Sequence, residues 1–360
     1  MRILVISGAP RRDGYTEELA RLFAEGVSGA GGEVEFVWLA ERDVRPCRGC
    51  FACWTRLDGR CAQRDDMDEL IPRTLASDAL VLATPVYYYS FSALLKAFLE
   101  RLRPTSLPFV DTSSPSGMER NTRRFPDRGP KRAVLIAAGA HRDPRLMEGL
   151  VRTFETICHG ISAERAGALL RPESFVMDFD AGKPVAGRKV RAAFTAAGRE
   201  LVTEGRVSAR TEEDASTPFT RDLALFEGHA RTYWELARGR EGAFDRASLR
   251  DATAADLRIL VPELAASLDP SAAGDLEAVI QLDVTDDPDG GYHLLIARGR
   301  CAAHKGRHER PDTTLSLDAG ELVKLLHQKI DARAAVALGR IVVDGDRSLF
   351  VRMGRLFPRS

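Results

Sequence analysis

Apolar bursts alternate with helical spacings through the first part of the chain. ILVIS (Ile3 to Ser7) is a short continuous apolar run. TEELARLFAEGV follows, with Leu19, Leu22, Phe23 and Val27 near helical spacing. EVEFVWLA, ALVLAT (Ala79 to Thr84), RAVLIAAG and AERAGALL repeat the run, while MDELIPRTLA, SALLKAFLERL, RLMEGLVRTFETIC and GRKVRAAFTAAGRELVTEG repeat the helix. Runs without polar alternation are what strands need when helices cover both faces of a sheet. The pattern predicts α/β architecture with a five-stranded parallel sheet and right-handed crossovers. Ligands of such sheets bind beyond the carboxyl ends of the strands, where strand order reverses.

The period changes near residue 250. LEAVIQLDV alternates Ala278, Ile280, Leu282 and Val284 with polar neighbours, PDGG signals a hairpin, and YHLLIARG, DTTLSLD and RIVVDGD supply further strands. AGELVKLLHQ and SLFVRMGRLF have helical spacing. This order predicts a smaller α+β unit with an antiparallel sheet. SARTEEDASTPFTRD (208–222) lies before it as an expected polar linker. LALFEGHARTYWELARG then forms an amphipathic helix, with Phe226, Tyr233 and Trp234 expected to dock. The expected domains are 1–205, a linker and docking helix over 206–250, and 251–360.

Charge narrows the partners. Lys plus Arg and Asp plus Glu are both 52, so no global field draws the chain to nucleic acid. MRILVISGAP has no signal-peptide pattern, and no apolar run reaches the ~20 residues of a membrane span. A cytoplasmic protein with reduced thiols is expected.

Three strand ends carry candidate chemistry. SGAPRRDGYT (Ser7 to Thr16) follows the first strand and opens a helix. Its Gly8 and Gly14 permit tight turning, Arg11 adds charge, and Thr16 stands where helix amides meet an anion. TPVYYYSF follows the third strand, with Pro85, Val86, Tyr87 and Tyr88 placed to line a flat ring. AAGAH follows the fourth, with Gly139 allowing close approach and His141 beyond it.

Four of the six cysteines lie in CRGCFACWTRLDGRC, as C-x2-C-x2-C-x7-C at Cys47, Cys50, Cys53 and Cys61. Compact spacing suits a [4Fe–4S] cluster, whose thiolates converge on one cube. Zinc sites favour well-separated CxxC knuckles. Free, redox-sensitive thiols shaping a loop remain the alternative. Cys158 and Cys301 stand alone and are expected to be buried packing residues.

GAPRRDGYT, TPVYYYS, KAFLERL and the cysteine loop ending RDDMDEL resemble the flavodoxin-like NAD(P)H-dependent FMN reductase and iron-sulfur flavoprotein families over roughly residues 1–205. The resemblance implies a sheet of order 2-1-3-4-5 and FMN held by Ser7, Gly8, Pro10, Arg11, Gly14, Tyr15, Thr16, Pro85, Val86, Tyr87, Tyr88, Gly139 and His141. It also implies NADPH or NADH as donor, a homodimer or homotetramer, and an iron-sulfur reading of the cysteine loop. Ala9 and Tyr15 replace the serine and asparagine of the family's GSPRxxGNT loop. ARG...KGRHERPDTTLSLD and LGRIVVDGD resemble the sterol-carrier-protein family over roughly 255–357, which implies a lipid-sized apolar tunnel. Gly299, Gly306, Pro311, Asp312, Gly339, Gly345 and Asp346 carry that likeness as turns; Leu322, Leu325, Leu326, Phe350 and Leu356 are tunnel or packing residues.

The expected function is FMN-dependent electron transfer from NAD(P)H to a hydrophobic or quinone-like acceptor, with no catalytic side chain singled out. Two alternatives stand beside it: a one-electron iron-sulfur flavoprotein, and a non-enzymatic lipid-binding protein with a decayed flavin site. Arg120, Arg123, Arg124 and Arg128, in the long loop 103–132, are expected cofactor-phosphate contacts or a solvated surface.

Overall fold

The computed structural model describes residues 1–113, 117–182, 184–238, 244–287, 290–327 and 329–358. The chain divides into two compact units. One comprises Met1–Phe175 and Arg188–Pro218, the other Val176–Gly187 and Phe219–Ser360.

In the first unit the elements run β1 (Arg2–Ser7), α1 (Tyr15–Gly29), β2 (Glu33–Trp38), a short α2 (Ala52–Thr55), α3 (Met67–Ala76), β3 (Ala79–Pro85) and α4 (Ala93–Glu100). There follow β4 (Ser106–Asp111), β5 (Arg120–Arg123), β6 (Arg132–Ala138), α5 (Glu148–Ile161), β7 (Glu164–Arg171), α6 (Pro184–Thr203) and α7 (Ala209–Ala215). The main sheet has the order β2-β1-β3-β6-β7, all parallel, as the apolar runs predict. Its central strands are buried on both faces; Leu80, Val81, Leu82 and Val134, Leu135, Ile136 have no exposed surface. Strand order reverses between β1 and β3, so the ends of those two strands and of β6 define one edge.

Two expectations about irregular segments change. The loop after α4 contains an antiparallel hairpin of β4 and β5, although residues 114–116 lie outside the described residues. The polar stretch from 208 is not wholly a linker, because it forms α7. Ser208 caps that helix through the Thr211 amide, and Glu212 accepts a 2.8 Å hydrogen bond from the Ala168 amide of β7. A polar sequence is thus spent on satisfying the edge of the sheet.

The second unit contains α8 (Leu223–Arg238), α9 (Arg246–Ala255), α10 (Leu257–Ala266), α11 (Pro270–Ala273), β8 (Ala278–Val284), β9 (Tyr292–Ala297), β10 (Arg300–Lys305) and β11 (Thr313–Leu317). α12 (Ala319–Leu326), α13 (Ala332–Ala337), β12 (Val342–Gly345) and α14 (Arg347–Leu356) complete it. Its sheet has the order β10-β9-β8-β11-β12. It is mixed, not antiparallel: β11 runs parallel to β8, with Leu315 opposite Leu282. The reason is the path from β10, which places β11 beside β8 instead of continuing the meander. Pro288 and Asp289 of the hairpin signal, and Gly239 and Gln328 at the ends of two expected helices, lie outside the described residues. Tyr233 is buried against Phe179, with centroids 5.8 Å apart, but Trp234 is half exposed and does not dock. Adjacent helix residues are turned ~100° apart, so one face of α8 cannot bury both. No helix among the described residues is long and apolar enough to cross a membrane.

Candidate functional site

The loop after β1 is tied to the end of β3. The Gly8 amide donates to the Ala83 carbonyl at 2.8 Å, and Ser92 Oγ donates to the Gly8 carbonyl at 2.8 Å. A Cβ at position 8 would lie 2.5 Å from that Oγ, so only glycine lets the loop approach α4 this closely. Ser92 caps α4 through the Leu95 amide. A serine before an apolar helical run is a cap signal in the sequence, but its bond to Gly8 is a tertiary fact.

The helix that the loop opens has Gly14 as its cap residue, which has no side chain to offer its first amides. Those amides, with Arg11 in the loop, suit a phosphate. Thr16 is buried at the same turn. Glu17, also fully buried, is the unexpected neighbour. It accepts from Ser7 Oγ at 2.9 Å and pairs with Arg21 at 2.9 Å, so its charge is compensated. Ser7 Oγ in turn accepts from the Ala9 amide. Ser7 is therefore occupied inside the loop. The alanine at position 9 adds no hydroxyl.

The ends of β3 and β6 form a cleft of about 250 Å³, lined by Val86, Tyr88, Tyr89, Gly139, Ala140, His141, Asp143, Leu146 and Met147. Tyr87 and Ser90 exchange two backbone hydrogen bonds of 3.1 Å around Tyr88 and Tyr89, whose φ values are +50° and +65°. Two-residue turns of this shape normally take Asn-Gly; two tyrosines here store strain of roughly 1–3 kcal/mol each. Tyr88 is 96% exposed, and Tyr89 stacks on His141 at 6.4 Å. Gly139 donates to the Arg171 carbonyl and accepts from the Ser174 amide, which holds the β6 end against the β7 end. Hydrogen bonds from the Arg145 side chain and amide hold the Asp143 carboxyl down at about 2, so the cleft keeps one anion.

Val86, Tyr88, Gly139 and His141 thus come together. The Ser7–Thr16 loop does not line the cleft but is joined to the same sheet edge through Ser92. Tyr89, Ala140, Asp143, Leu146 and Met147 are additional lining residues. Tyr89 is visible in the sequence as part of the tyrosine triplet; the others carry no sequence signal of their own.

The cysteine loop is held by buried arginines. Arg101 forms a two-point ion pair with Asp65 at 2.6 and 2.8 Å, and both side chains are essentially inaccessible. Arg101 also donates to the Arg45 carbonyl and lies beside Cys61. Burial works against the Asp65 carboxylate. Hydrogen bonds from Arg101 and from the Arg45 and Met67 amides more than offset it, and its pKa falls below the ordinary value. Arg103 lies over the Trp54 ring at 4.8 Å, and Arg124 pairs with Asp58 and donates to the Cys53 carbonyl. Arg120 pairs with Asp111, and Arg123 donates to the Arg128 carbonyl. Of the expected phosphate-binding arginines, Arg120, Arg123 and Arg124 therefore already have polar partners in and around the hairpin, and Arg128 lies over the Phe125 ring.

Burial first, then the neighbouring Cys61, pushes the Cys53 thiol up, with Cys47 contributing. Cys50 is exposed. Among the described residues no group of three or more Cys, His, Asp or Glu side chains is arranged to hold a metal ion. In this conformation the four thiols do not make a ready cluster cradle. Cys158 and Cys301 are buried, and burial pushes each up to about 12, as packing residues.

The second unit holds a larger, apolar pocket of about 470 Å³. Leu264, Leu282, Leu315, Leu322, Leu325 and Leu326 form much of its wall, closed by Phe350, Met353 and Phe357 of the last helix and its end.

Comparison with known proteins agrees with both halves. Residues 1–117 match the family described as NADPH-dependent FMN reductase, and residues 262–358 match the SCP-2 sterol transfer family. An iron-sulfur flavoprotein of Methanocaldococcus jannaschii is 37% identical over 109 residues, or 30% of this chain and 55% of that protein. One of Archaeoglobus fulgidus is 38% identical over 104 residues, or 29% and 46%. The chain spans about half the length of these curated relatives. An NAD(P)H:quinone oxidoreductase from Methanothermobacter marburgensis is 18% identical, with 56% of this chain and 96% of that chain covered and a TM-score of 0.41. This chain therefore joins a domain of the NADPH-dependent FMN reductase family at residues 1–117 to a domain of the SCP-2 sterol transfer family at residues 262–358.

Proposed function

We propose that the protein is an NAD(P)H-dependent FMN oxidoreductase that passes electrons to a hydrophobic, quinone-like acceptor held by its C-terminal unit. The observation that carries the reading is the convergence at one sheet edge of a glycine-started helix with Arg11 in the loop before it, and of an aromatic cleft built on a strained turn. When bound, FMN supplies hydride acceptance and electron release; the chain supplies position and electrostatics. The loop amides and Arg11 would hold the phosphate. Val86, Tyr88, Tyr89 and the 139–141 backbone would hold and shield the ring. The largely apolar pocket of about 470 Å³ supports a lipid-like or quinone-like guest.

The test uses the full-length protein and a pocket-filling variant, Leu325→Trp. With NADPH as donor, turnover of a water-soluble quinone should be unchanged. Turnover of a long-chain quinone should show a raised KM with little change in kcat. Equal effects on both acceptors would remove the carrier role, and no flavin binding would remove the oxidoreductase reading.

A second reading has a specific observation in its favour. The C-x2-C-x2-C-x7-C loop occurs in a chain whose relatives include named iron-sulfur flavoproteins. Iron analysis after anaerobic reconstitution decides it. About four irons per chain, lost in Cys50→Ala, is the expected outcome if the loop rearranges to bind a cluster.

A further inference from the structure

The last helix has two unlike faces. Phe350, Met353 and Gly354 of α14 line the pocket, while Leu349 and Leu356 are buried in the core. The opposite face presents Arg347, Val351, Arg352 and Arg355 to solvent. α13 flanks the same pocket through Asp331 and Ala332. Beyond it the chain exposes Leu338 at 67% and Val342 at 57%, and Val351 on α14 is 60% exposed. Among the described residues of this unit, Leu223 is the other aliphatic side chain exposed beyond half.

Charge is as uneven as hydrophobicity. Between residues 329 and 358 stand the cations Lys329, Arg333, Arg340, Arg347, Arg352 and Arg355, against the anions Asp331, Asp344 and Asp346. Asp331 and Asp346 are spent as helix caps, on the Ala334 and Ser348 amides. Arg340 is 4.0 Å from Glu321. A segment with an excess of cations thus lies beside the pocket in a chain of zero net charge.

We infer that the exposed face of α14 and the turn from α13 into β12 form a docking surface for an anionic phospholipid bilayer, from which the pocket is filled. The inference rests on the reading of that pocket as a lipid-type site. Cations near an anionic membrane each strengthen partition roughly fivefold, and aliphatic side chains among them enter the headgroup boundary. A second copy of the same surface would bring like charges together. A nucleic acid would leave Leu338, Val342 and Val351 without an apolar partner.

The experiment is co-sedimentation of the full-length protein with phosphatidylcholine vesicles, with and without phosphatidylglycerol. A fluorescent fatty acid measures the pocket separately, without vesicles. Binding should require the anionic lipid and be released as salt shortens the screening length. Arg347→Ala, Arg352→Ala and Arg355→Ala combined should weaken partition about a hundredfold. Leu338→Asp with Val351→Asp should weaken it as well, and neither variant should change fatty-acid binding in solution. Three results would overturn the inference: equal binding to neutral vesicles, a triple arginine variant that sediments like the wild type, or self-association through this face. If vesicle binding fails while the fatty acid still binds, docking falls and the pocket reading stands. If the fatty acid fails to bind, the pocket reading falls, and with it the filling of the pocket from the membrane.

Discussion

The cleft beyond β3 and β6 and the pocket of the C-terminal unit are made from opposite materials. The cleft is walled by loop backbone: a turn with Tyr88 and Tyr89 at positive φ, and the Gly139–His141 segment pinned by hydrogen bonds to the β7 end. The pocket is walled by aliphatic side chains on regular strands and helices. A loop cleft suits one flat, polar-edged ligand whose orientation matters, because backbone positions are discrete. An aliphatic wall selects by volume and apolar area, and tolerates many guests. The difference teaches where each half is vulnerable: the first to loss of anchoring, the second to change of volume.

The largest expected effect comes from releasing a buried anchor of the first unit, the pair that holds its cysteine loop. Asp65→Asn leaves Arg101 buried beside a neutral partner. Loss of one member of a buried pair costs ~3–5 kcal/mol, to be measured by urea unfolding. The pH dependence follows from the depressed carboxyl. Its stabilisation is full above the unfolded carboxylate value of ~3.9 and is lost as pH falls through the lower folded value. Stability of the wild type should therefore drop more steeply below about pH 4 than that of Asp65→Asn. Parallel acid profiles would show that the pair does not anchor the loop.

Volume changes test the second region. Leu294→Ala, in the closed core of the C-terminal sheet, should cost ~2–5 kcal/mol. Leu325→Ala, on a wall that already faces a void, should cost less and enlarge the pocket, shifting its preference toward bulkier guests. Equal losses would mean that the pocket is closed in solution.

Smaller effects sharpen the first region. Arg11→Ala should weaken FMN binding tenfold to a hundredfold, from a charged hydrogen bond worth ~1.5–3 kcal/mol, read by flavin fluorescence. Tyr89→Gly should relieve strain at φ +65° and stabilise the unit by up to ~1 kcal/mol in thermal unfolding. The same change removes the ring that stacks on His141, so FMN affinity should fall while stability rises. A variant that loses both would place Tyr89 in packing alone.

Much of the architecture was readable in one dimension. Continuous apolar runs such as Leu80–Leu82 require burial on two faces, and helical spacings between them require crossovers. A parallel sheet and its ligand edge follow from those local rules, while the strand order came from the family resemblance. The Ser7–Thr16 loop and the tyrosine triplet could be located because they immediately follow such runs. The parallel pairing of β11 with β8 was decided by the route of a connection, which no local period encodes. The Arg101–Asp65 pair joins residues 36 positions apart, the Glu212 bond to β7 spans 44, and the Ser92 bond to Gly8 spans 84. None of these pairings is visible in the sequence. Hydrophobic periodicity reports which face of an element is buried; it carries no information on which distant polar group will meet an unpaired amide or charge. The amino-acid pattern alone determined the layers and the edge where a ligand belongs. Tertiary packing decided the anchors, because a buried charge or amide must find its partner wherever the fold brings one within hydrogen-bond reach.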